Sequence, residues 1–158
     1  MSSRTLIGNG WAGLKQAGFF MIEIRIDGIE PAPQGSKVRT RFGMREASER
    51  VAPWRDAVRS EALAATTALI ESACRVDVEF RFRRPEGHYA ASGKLRPSAR
   101  LHYTVKRNDI DKCCRSLLDG LTGSALAEDC LVVELVARQR YCERDERPGA
   151  LVTIQELI

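Results

Sequence analysis

Three aspartates in the C-terminal half of the sequence are the residues whose types and spacing could do chemistry. Asp109 and Asp111 flank the start of a predicted helix, and Asp129 stands immediately before a predicted strand. If the chain is extended at Asp109, side chains two residues apart point to the same side, so both carboxylates can reach one cation. Carboxylates that converge from a helix start and a strand end would form an oxygen-rich Mg²⁺ site, where a metal-bound water becomes a nucleophile.

Each of these aspartates also has a purely structural interpretation. An aspartate at a helix N-terminus is favoured as a cap and by the helix dipole, which applies to Asp109 and Asp111. Asp129 could cap a turn. Spacing alone therefore leaves a metal site and a set of caps both open.

The helix that begins at these aspartates is predicted from apolar residues at i, i+3, i+4, i+7, i+8 and i+11, and it ends near Gly120 or Gly123. Asp111 and Arg115, four residues apart, share the face opposite this apolar stripe. The strand predicted at residues 130–141 has a near-continuous apolar run, which predicts burial between two layers. The apolar stripe of the helix consists of Ile110, Cys113, Cys114, Leu117, Leu118 and Leu121.

The preceding segments supply the rest of a small mixed fold. Alternating apolar and charged residues predict strands, and an Ala- and Leu-rich stretch predicts a helix. The predicted order is β-β-α-β-α-β-β. The elements before the aspartates are a strand at 21–27, a basic hairpin from Lys37 to Gly43, a helix at 51–73 with Trp54, Val58, Leu63 and Leu69 as apolar contacts, a strand at 75–83 and a loop at 84–104.

Length and composition indicate one ordinary globular domain. The chain has 158 residues, of which 44% are hydrophobic, and no apolar run approaches the ~18 residues of a membrane span. The five cysteines show no CxxC or His-paired metal spacing, so they are interpreted as buried thiols of a cytoplasmic protein. We expect one domain at 21–158 and an extension at 1–20, which is either a loosely attached, disordered arm or the product of an upstream start, with translation beginning at Met21.

Charge is distributed unevenly along the chain. Residues 37–59 hold seven basic and three acidic groups, and residues 75–107 hold nine basic and three acidic groups. Residues 108–158 hold six basic and ten acidic groups. This asymmetry suits a polyanion held beside a carboxylate cluster, although solvated surface is the alternative interpretation.

The order and spacing of six short motifs resemble the RusA-type Holliday junction resolvases. These are small homodimeric, Mg²⁺-dependent endodeoxyribonucleases of bacteria and their phages. The resemblance extends from Ile22 to Ile154. The motifs are APQGSK (32–37), PWRDAV (53–58), RPEGHY (84–89), NDIDK (108–112), LLDGLTG (117–123) and EDCLVVEL (128–135).

The resemblance implies an α+β fold, with a mixed sheet and helices packed on one side. It implies that Asp109, Asp111 and Asp129 are the catalytic, metal-binding aspartates. Two positions depart from the family pattern, because Arg115 and Gln139 stand where lysines are often found. Arginine can hold a phosphate with two hydrogen bonds, but it cannot give up a proton as a general acid.

The expected activity is in-line hydrolysis of a DNA phosphodiester that leaves a 5′-phosphate and a 3′-hydroxyl, in DNA recombination and repair. Symmetric cleavage of a four-way junction needs two sites related by a two-fold axis, hence a homodimer. The alternatives are a junction-binding module without turnover, a less specific nuclease of branched DNA, and a chain with no DNA affinity. The expected DNA backbone contacts are Lys37, Arg39, Arg41, Arg81, Arg83, Lys106 and Arg107.

Overall fold

The fold is a four-stranded mixed sheet with two helices on one face and a separate two-stranded hairpin. A computed structural model describes residues 20–35, 37–46 and 48–157, with the backbone alone at Lys37, Arg45 and Glu46. The predicted extension at 1–20 lies outside these residues, except for Phe20. The elements are β1 (Met21–Asp27), β2 (Lys37–Thr40), β3 (Gly43–Glu46), α1 (Val51–Ala65), β4 (Cys74–Phe82), α2 (Ile110–Leu121), β5 (Val132–Tyr141) and β6 (Gly149–Glu156).

The main sheet has the strand order β1-β6-β4-β5. β6 pairs antiparallel with both β1 and β4, whereas β4 and β5 are parallel. Parallel neighbours need a crossover connection, and α2 lies within that connection. The predicted α+β class with a mixed sheet is confirmed, as is the basic hairpin, which is formed by β2 and β3.

Alternation along the strands creates a single hydrophobic core between the sheet and the helices. Ile22, Ile24 and Ile26 of β1 are buried while their neighbours are exposed. The buried side chains of α1 and α2 pack on this face of the sheet, which agrees with the stripe predicted for α2. At Gly120 the helices approach so closely that an added Cβ would lie 2.8 Å from Val58 Cγ1. Among the described residues, no helix is long and apolar enough to span a membrane.

Two predictions about apolar residues are wrong. The first helix ends at Ala65 rather than near residue 73, and both Leu63, within this helix, and Leu69, beyond its end, are exposed instead of packed in the core. Among the described residues, β5 is an edge strand with one neighbour, so it is not buried between layers, and Val133 and Leu135 are 60% and 43% exposed. Cys130 is exposed as well, whereas the other four cysteines are buried as predicted.

The face of the sheet opposite the helices carries a network of ion pairs centred on Arg81. This side chain is only 2% exposed, and its Nη2 donates to Asp27 Oδ1 at 2.8 Å and to the carbonyl oxygen of Ile26 at 3.0 Å. Its Nη1 lies 3.3 Å from Glu146 Oε1. Because Arg81 is buried and bound within the chain, the expectation that it contacts DNA is wrong.

Replacing Arg81 tests its structural role. Arg81→Ala leaves two carboxylates without their buried cation, so we expect the free energy of unfolding to fall by about 3 kcal/mol. The measurement is urea denaturation. Arg83→Ala, an exposed arginine two residues away, is the matched control and should change stability by no more than about 0.5 kcal/mol. Equal effects of the two substitutions would contradict the role given to Arg81.

Glu146 makes the stability depend on pH. Hydrogen bonds from Arg140, at 2.6 and 2.8 Å, lower the pKa of the Glu146 carboxyl from 4.5 to about 2. A carboxylate with a lowered pKa stabilises the fold fully above its unfolded pKa and loses that contribution as the pH falls through its folded pKa. We therefore expect Glu146→Gln to flatten the decline in unfolding free energy between pH 4.5 and 2. Glu143→Gln, an exposed neighbour, should keep the wild-type slope.

Candidate active site

The start of α2 lies at the edge of the sheet where β4 and β5 end. The chain passes from β4 through the loop to α2 and returns to the parallel β5, so α2 runs antiparallel to both strands. Asp109, Asp111 and Gln139 line one open cavity of about 430 Å³ at this edge. The helix start and the last third of β5 together position these three side chains.

Asn108 and Tyr103 anchor the chain just before the two aspartates. The Asn108 side chain is buried, and its amide nitrogen donates a hydrogen bond to the Tyr103 hydroxyl. The Tyr103 ring stacks on Phe82 with ring centroids 4.1 Å apart, and burial raises the pKa of its hydroxyl. Arg50 Nη1 donates to Asn108 Oδ1 at 3.5 Å. The start of α2 is therefore fixed to β4 and to the start of α1.

Asp109 occupies the N-cap position of α2 without capping it. Its backbone is extended, with φ −60° and ψ 135°, and its side chain forms no capping hydrogen bond. Instead, its Oδ2 lies 2.6 Å from Lys112 Nζ in an exposed ion pair, and this hydrogen bond raises the pKa of the Lys112 ammonium. Exposed pairs of this kind contribute little stability. Helix capping therefore does not explain why an aspartate stands at position 109.

Asp111 is exposed in the first turn of α2, and within the described part of the chain it has no hydrogen-bond or ion-pair partner. Arg115, one turn later, is exposed too. A carboxylate and a guanidinium at this spacing lie on the same face of a helix. This face is directed away from the core, where a large substrate can reach it.

Gln139 reaches the cavity from β5. Its Nε2 donates to the carbonyl oxygen of Tyr103 at 3.3 Å, while its buried Oε1 has no hydrogen-bond partner among the residues that the structure describes. An unpartnered buried carbonyl oxygen is costly unless a ligand or water satisfies it. Arg140 cannot take its place, because Arg140 lies on the opposite face of the sheet and pairs with Glu79 and Glu146.

Asp129 lies at the other end of β5. It begins a single 3₁₀ turn, Asp129–Leu131, just before Val132, and it is exposed. Seven strand residues at about 3.3 Å each separate Val132 from Gln139 by ~23 Å, and three residues can span at most about 10 Å. The Cα atoms of Asp129 and Gln139 are therefore at least about 13 Å apart. Accordingly, the described residues contain no group of three potential metal ligands.

The basic residues predicted to contact DNA are in different surroundings. Arg39 and Arg41 are exposed on the hairpin, whereas the side chain of Lys37 lies outside the described residues. Arg83, Lys106 and Arg107 are exposed near the edge of the sheet that holds the cavity. Of the predicted contacts whose side chains the structure describes, only Arg81 is buried.

A second cavity of about 320 Å³ lies at the same edge of the sheet. Its lining includes Arg83 and three arginines that sequence reasoning missed, Arg84, Arg144 and Arg147. Two of the missed residues, Arg144 and Arg147, lie in the last third of the chain, where acidic residues outnumber basic ones and the net charge is negative. The turn positions of Arg144 and Arg147, between two predicted strands, were the only signal that could have found them.

A comparison with protein-family models identifies the family to which this chain is similar. The family model described as Endodeoxyribonuclease RusA matches residues 29–155, which is most of the sequence and includes every residue of the cavity that holds Asp109 and Asp111. No curated protein matches the chain.

Proposed function

Because the chain belongs to the RusA family of endodeoxyribonucleases, we propose that it is a Mg²⁺-dependent resolvase that hydrolyses phosphodiesters of four-way DNA junctions as a homodimer. The observation that carries this proposal is the pair of carboxylates, Asp109 and Asp111, which do not cap α2. They lie at a sheet edge where several arginines and lysines are also exposed. Such an edge attracts a polyanion and holds acidic groups beside it.

The side chains that line the cavity offer the oxygen donor atoms that a hard metal cation prefers. Asp109 and Asp111 supply carboxylate oxygens, and the unpartnered Oε1 of Gln139 supplies an amide oxygen. Mg²⁺ prefers oxygen ligands and usually keeps several waters, so one or two carboxylates together with a substrate phosphate can hold it. When bound, the ion would lower the pKa of a water and offset charge on the phosphate. Asp129, which the resemblance includes among the ligands, does not reach this cavity within one chain.

The residues of the chain itself would position the DNA. Arg115 is exposed one turn from Asp111, where its planar guanidinium could hold the scissile phosphate through two hydrogen bonds. Arg83, Lys106 and Arg107 at the same edge, with Arg39 and Arg41 on the hairpin, would contact neighbouring phosphates, which position the DNA without reading its sequence. Recombination and repair are the processes in which such an activity would serve, in the cytoplasm of a bacterium.

The second candidate function is junction binding without turnover. Arg115 and Gln139 replace the lysines that the resemblance would place there, and neither can act as a general acid. A protein that retains the basic edge but lacks a proton donor would bind junctions and cut them slowly or not at all.

The decisive experiment is nicking of a synthetic mobile four-way junction, with Mg²⁺ compared with EDTA and with a linear duplex and a flap as reference substrates. We expect paired, metal-dependent cuts on the junction, and Asp111→Asn should lower the rate by about 100-fold or more, since even outer-shell changes cost about 10–100-fold. Asp56→Asn, an exposed aspartate of α1, is the matched control.

Comparable rates on flaps and junctions would indicate a less specific nuclease. Tight binding without cutting would favour the second candidate function, and loss of all DNA affinity at physiological salt would contradict both.

Restoring lysine tests what the two departures cost. Lysine at both positions, Arg115→Lys with Gln139→Lys, should raise the nicking rate by about tenfold or more if a proton donor limits turnover. Junction affinity, measured by gel shift without Mg²⁺, should rise by no more than one added phosphate contact contributes, because residue 115 keeps its positive charge and residue 139 gains one. An unchanged rate would show that neither position limits the reaction.

A further inference from the structure

The hairpin formed by β2 and β3 carries apolar side chains that are open to solvent. Within the described residues, neither strand pairs with a strand of the four-stranded sheet. Val38 and Met44 lie on opposite faces of the hairpin, and both are exposed, as are all the residues between them. A two-stranded hairpin without a core is only marginally stable in water. Packing within this chain therefore does not explain the apolar residues of the hairpin.

The turn of the hairpin presents an aromatic ring to solvent. Thr40 pairs with Gly43, so Arg41 and Phe42 form a two-residue turn at the tip. Phe42 is 85% exposed, which is the highest value among the large apolar side chains that the structure describes. The Arg41 guanidinium lies over the ring, with its Cζ 4.5 Å from the ring centroid. Aromatic rings and guanidinium planes are the groups on which unstacked bases of a nucleic acid stack.

The charge of the hairpin indicates the kind of partner that this ring meets. Residues 37–45 contain four basic residues and no acidic residue. The side chains of Arg39, in β2, and Arg41, in the turn, are both exposed. An exposed ring among cations has the chemistry of a nucleic-acid contact, in which the ring stacks on a base and the cations bind the flanking phosphates.

Both ends of the hairpin are anchored at the start of α2, beside the candidate active site. On one side, the backbone nitrogen of Gln34 donates to the carbonyl oxygen of Lys112 at 3.0 Å. On the other side, Arg50 Nη1 donates to Asn108 Oδ1 at 3.5 Å. Arg50 Nη2 also donates to the carbonyl oxygen of Pro31 at 3.1 Å, which joins the two sides. The position of the hairpin is therefore tied to that of Asp109 and Asp111.

The length of the hairpin limits how far from this site its tip can act. Phe42 is eight residues from both Gln34 and Arg50. Eight extended residues span at most about 27 Å. A DNA duplex rises about 3.4 Å per base pair, so this reach corresponds to at most about eight base pairs. A branch point within that interval of a phosphate held at the start of α2 is accessible to Phe42.

We propose that the hairpin recognises the branch point of the DNA, where Phe42 stacks on an exposed base while Arg39 and Arg41 bind the flanking phosphates. This inference rests on the proposed function for its substrate. Inserting a side chain between the stacked base pairs of a duplex costs free energy, and the cost is smallest where the bases are already unpaired or unstacked. Phe42 therefore favours branched DNA over a linear duplex.

The first test compares binding to a four-way junction and to a linear duplex by gel shift without Mg²⁺, so that no cutting is required. Phe42→Ala should weaken binding to the junction by about 10-fold or more, because the loss of one base–aromatic stack has an effect of this size. Binding to the duplex should stay unchanged. Phe42→Trp keeps a stacking ring and should keep the preference for the junction, whereas Phe42→Leu should lose it. Leu63→Ala, at an exposed apolar residue of α1, is the matched control and should change neither affinity.

A fluorescent base reports the stacking directly. Neighbouring bases quench 2-aminopurine, so a Phe42 ring that replaces a neighbouring base at the branch point should raise its fluorescence. We expect this rise with saturating wild-type protein and a smaller rise with Phe42→Leu. A 2-aminopurine in the middle of one arm should show no rise with either protein. Equal signals from wild-type protein and Phe42→Leu at the branch point would contradict the stacking.

The outcomes separate this inference from the proposed function. If wild-type protein cuts junctions but Phe42→Ala binds both DNAs with wild-type affinity, the role of Phe42 is refuted while the proposed function stands. If wild-type protein binds junctions without cutting them, the affinities and the fluorescence still decide the role of the hairpin. If it binds no DNA, both proposals are overturned.

A contact between copies of the chain is the other explanation for an exposed ring, and sedimentation of the free protein tests it. Phe42→Ala should keep the sedimenting mass and the urea midpoint of the wild type, because substitutions at exposed positions rarely change stability. A fall in mass would assign Phe42 to an interface between copies and overturn the inference.

Discussion

The parallel pairing of β4 and β5 is the constraint on which the rest of the molecule depends. Parallel neighbours require a crossover, and here the crossover consists of the long loop, α2 and the return segment. Its geometry brings the start of α2 to the ends of the two strands, beside Tyr103 and Gln139. The same geometry carries the end of α2 to the beginning of β5. Residues near the two ends of α2, such as Asp111 and Asp129, are therefore close in the sequence but far apart in space.

The two faces of the sheet have separate tasks. One face is apolar and packs on both helices, so it supplies the driving force for folding. The other face is stabilised by ion pairs around Arg81, which ties β1, β4 and the segment before β6 together. Removing one partner of such a network costs more free energy of unfolding than the whole network contributes. Substitutions on this face are therefore poorly tolerated, although the face has no part in the proposed reaction. The exposed arginine and lysine side chains at the sheet edge are accessible to a polyanion.

The sequence predicted the elements well because their periodicities are local properties of the chain. The alternation at Ile22, Ile24 and Ile26 and the apolar stripe of α2 are confirmed. The errors concern neighbours that no local pattern reveals. Arg81 alternates in β4 like a surface residue, yet its position between two other elements buries it, and the apolar run of β5 lies at an edge. The cavity shared by Asp109, Asp111 and Gln139 follows from the topology, and so does the position of Asp129 at the other end of β5.

The distribution of the thiols gives the protein an uneven chemical sensitivity. Burial raises the pKa of Cys113 to about 12 and that of Cys114 to about 11, and burial also raises the pKa values of Cys74 and Cys142. Thiols of this kind are poor nucleophiles because the thiolate is the reactive form. Cys130 is the one exposed cysteine, and it follows Asp129 directly. A maleimide probe would therefore label the chain almost solely beside that carboxylate, so its fluorescence would report on the surroundings of Asp129 without any change to the sequence.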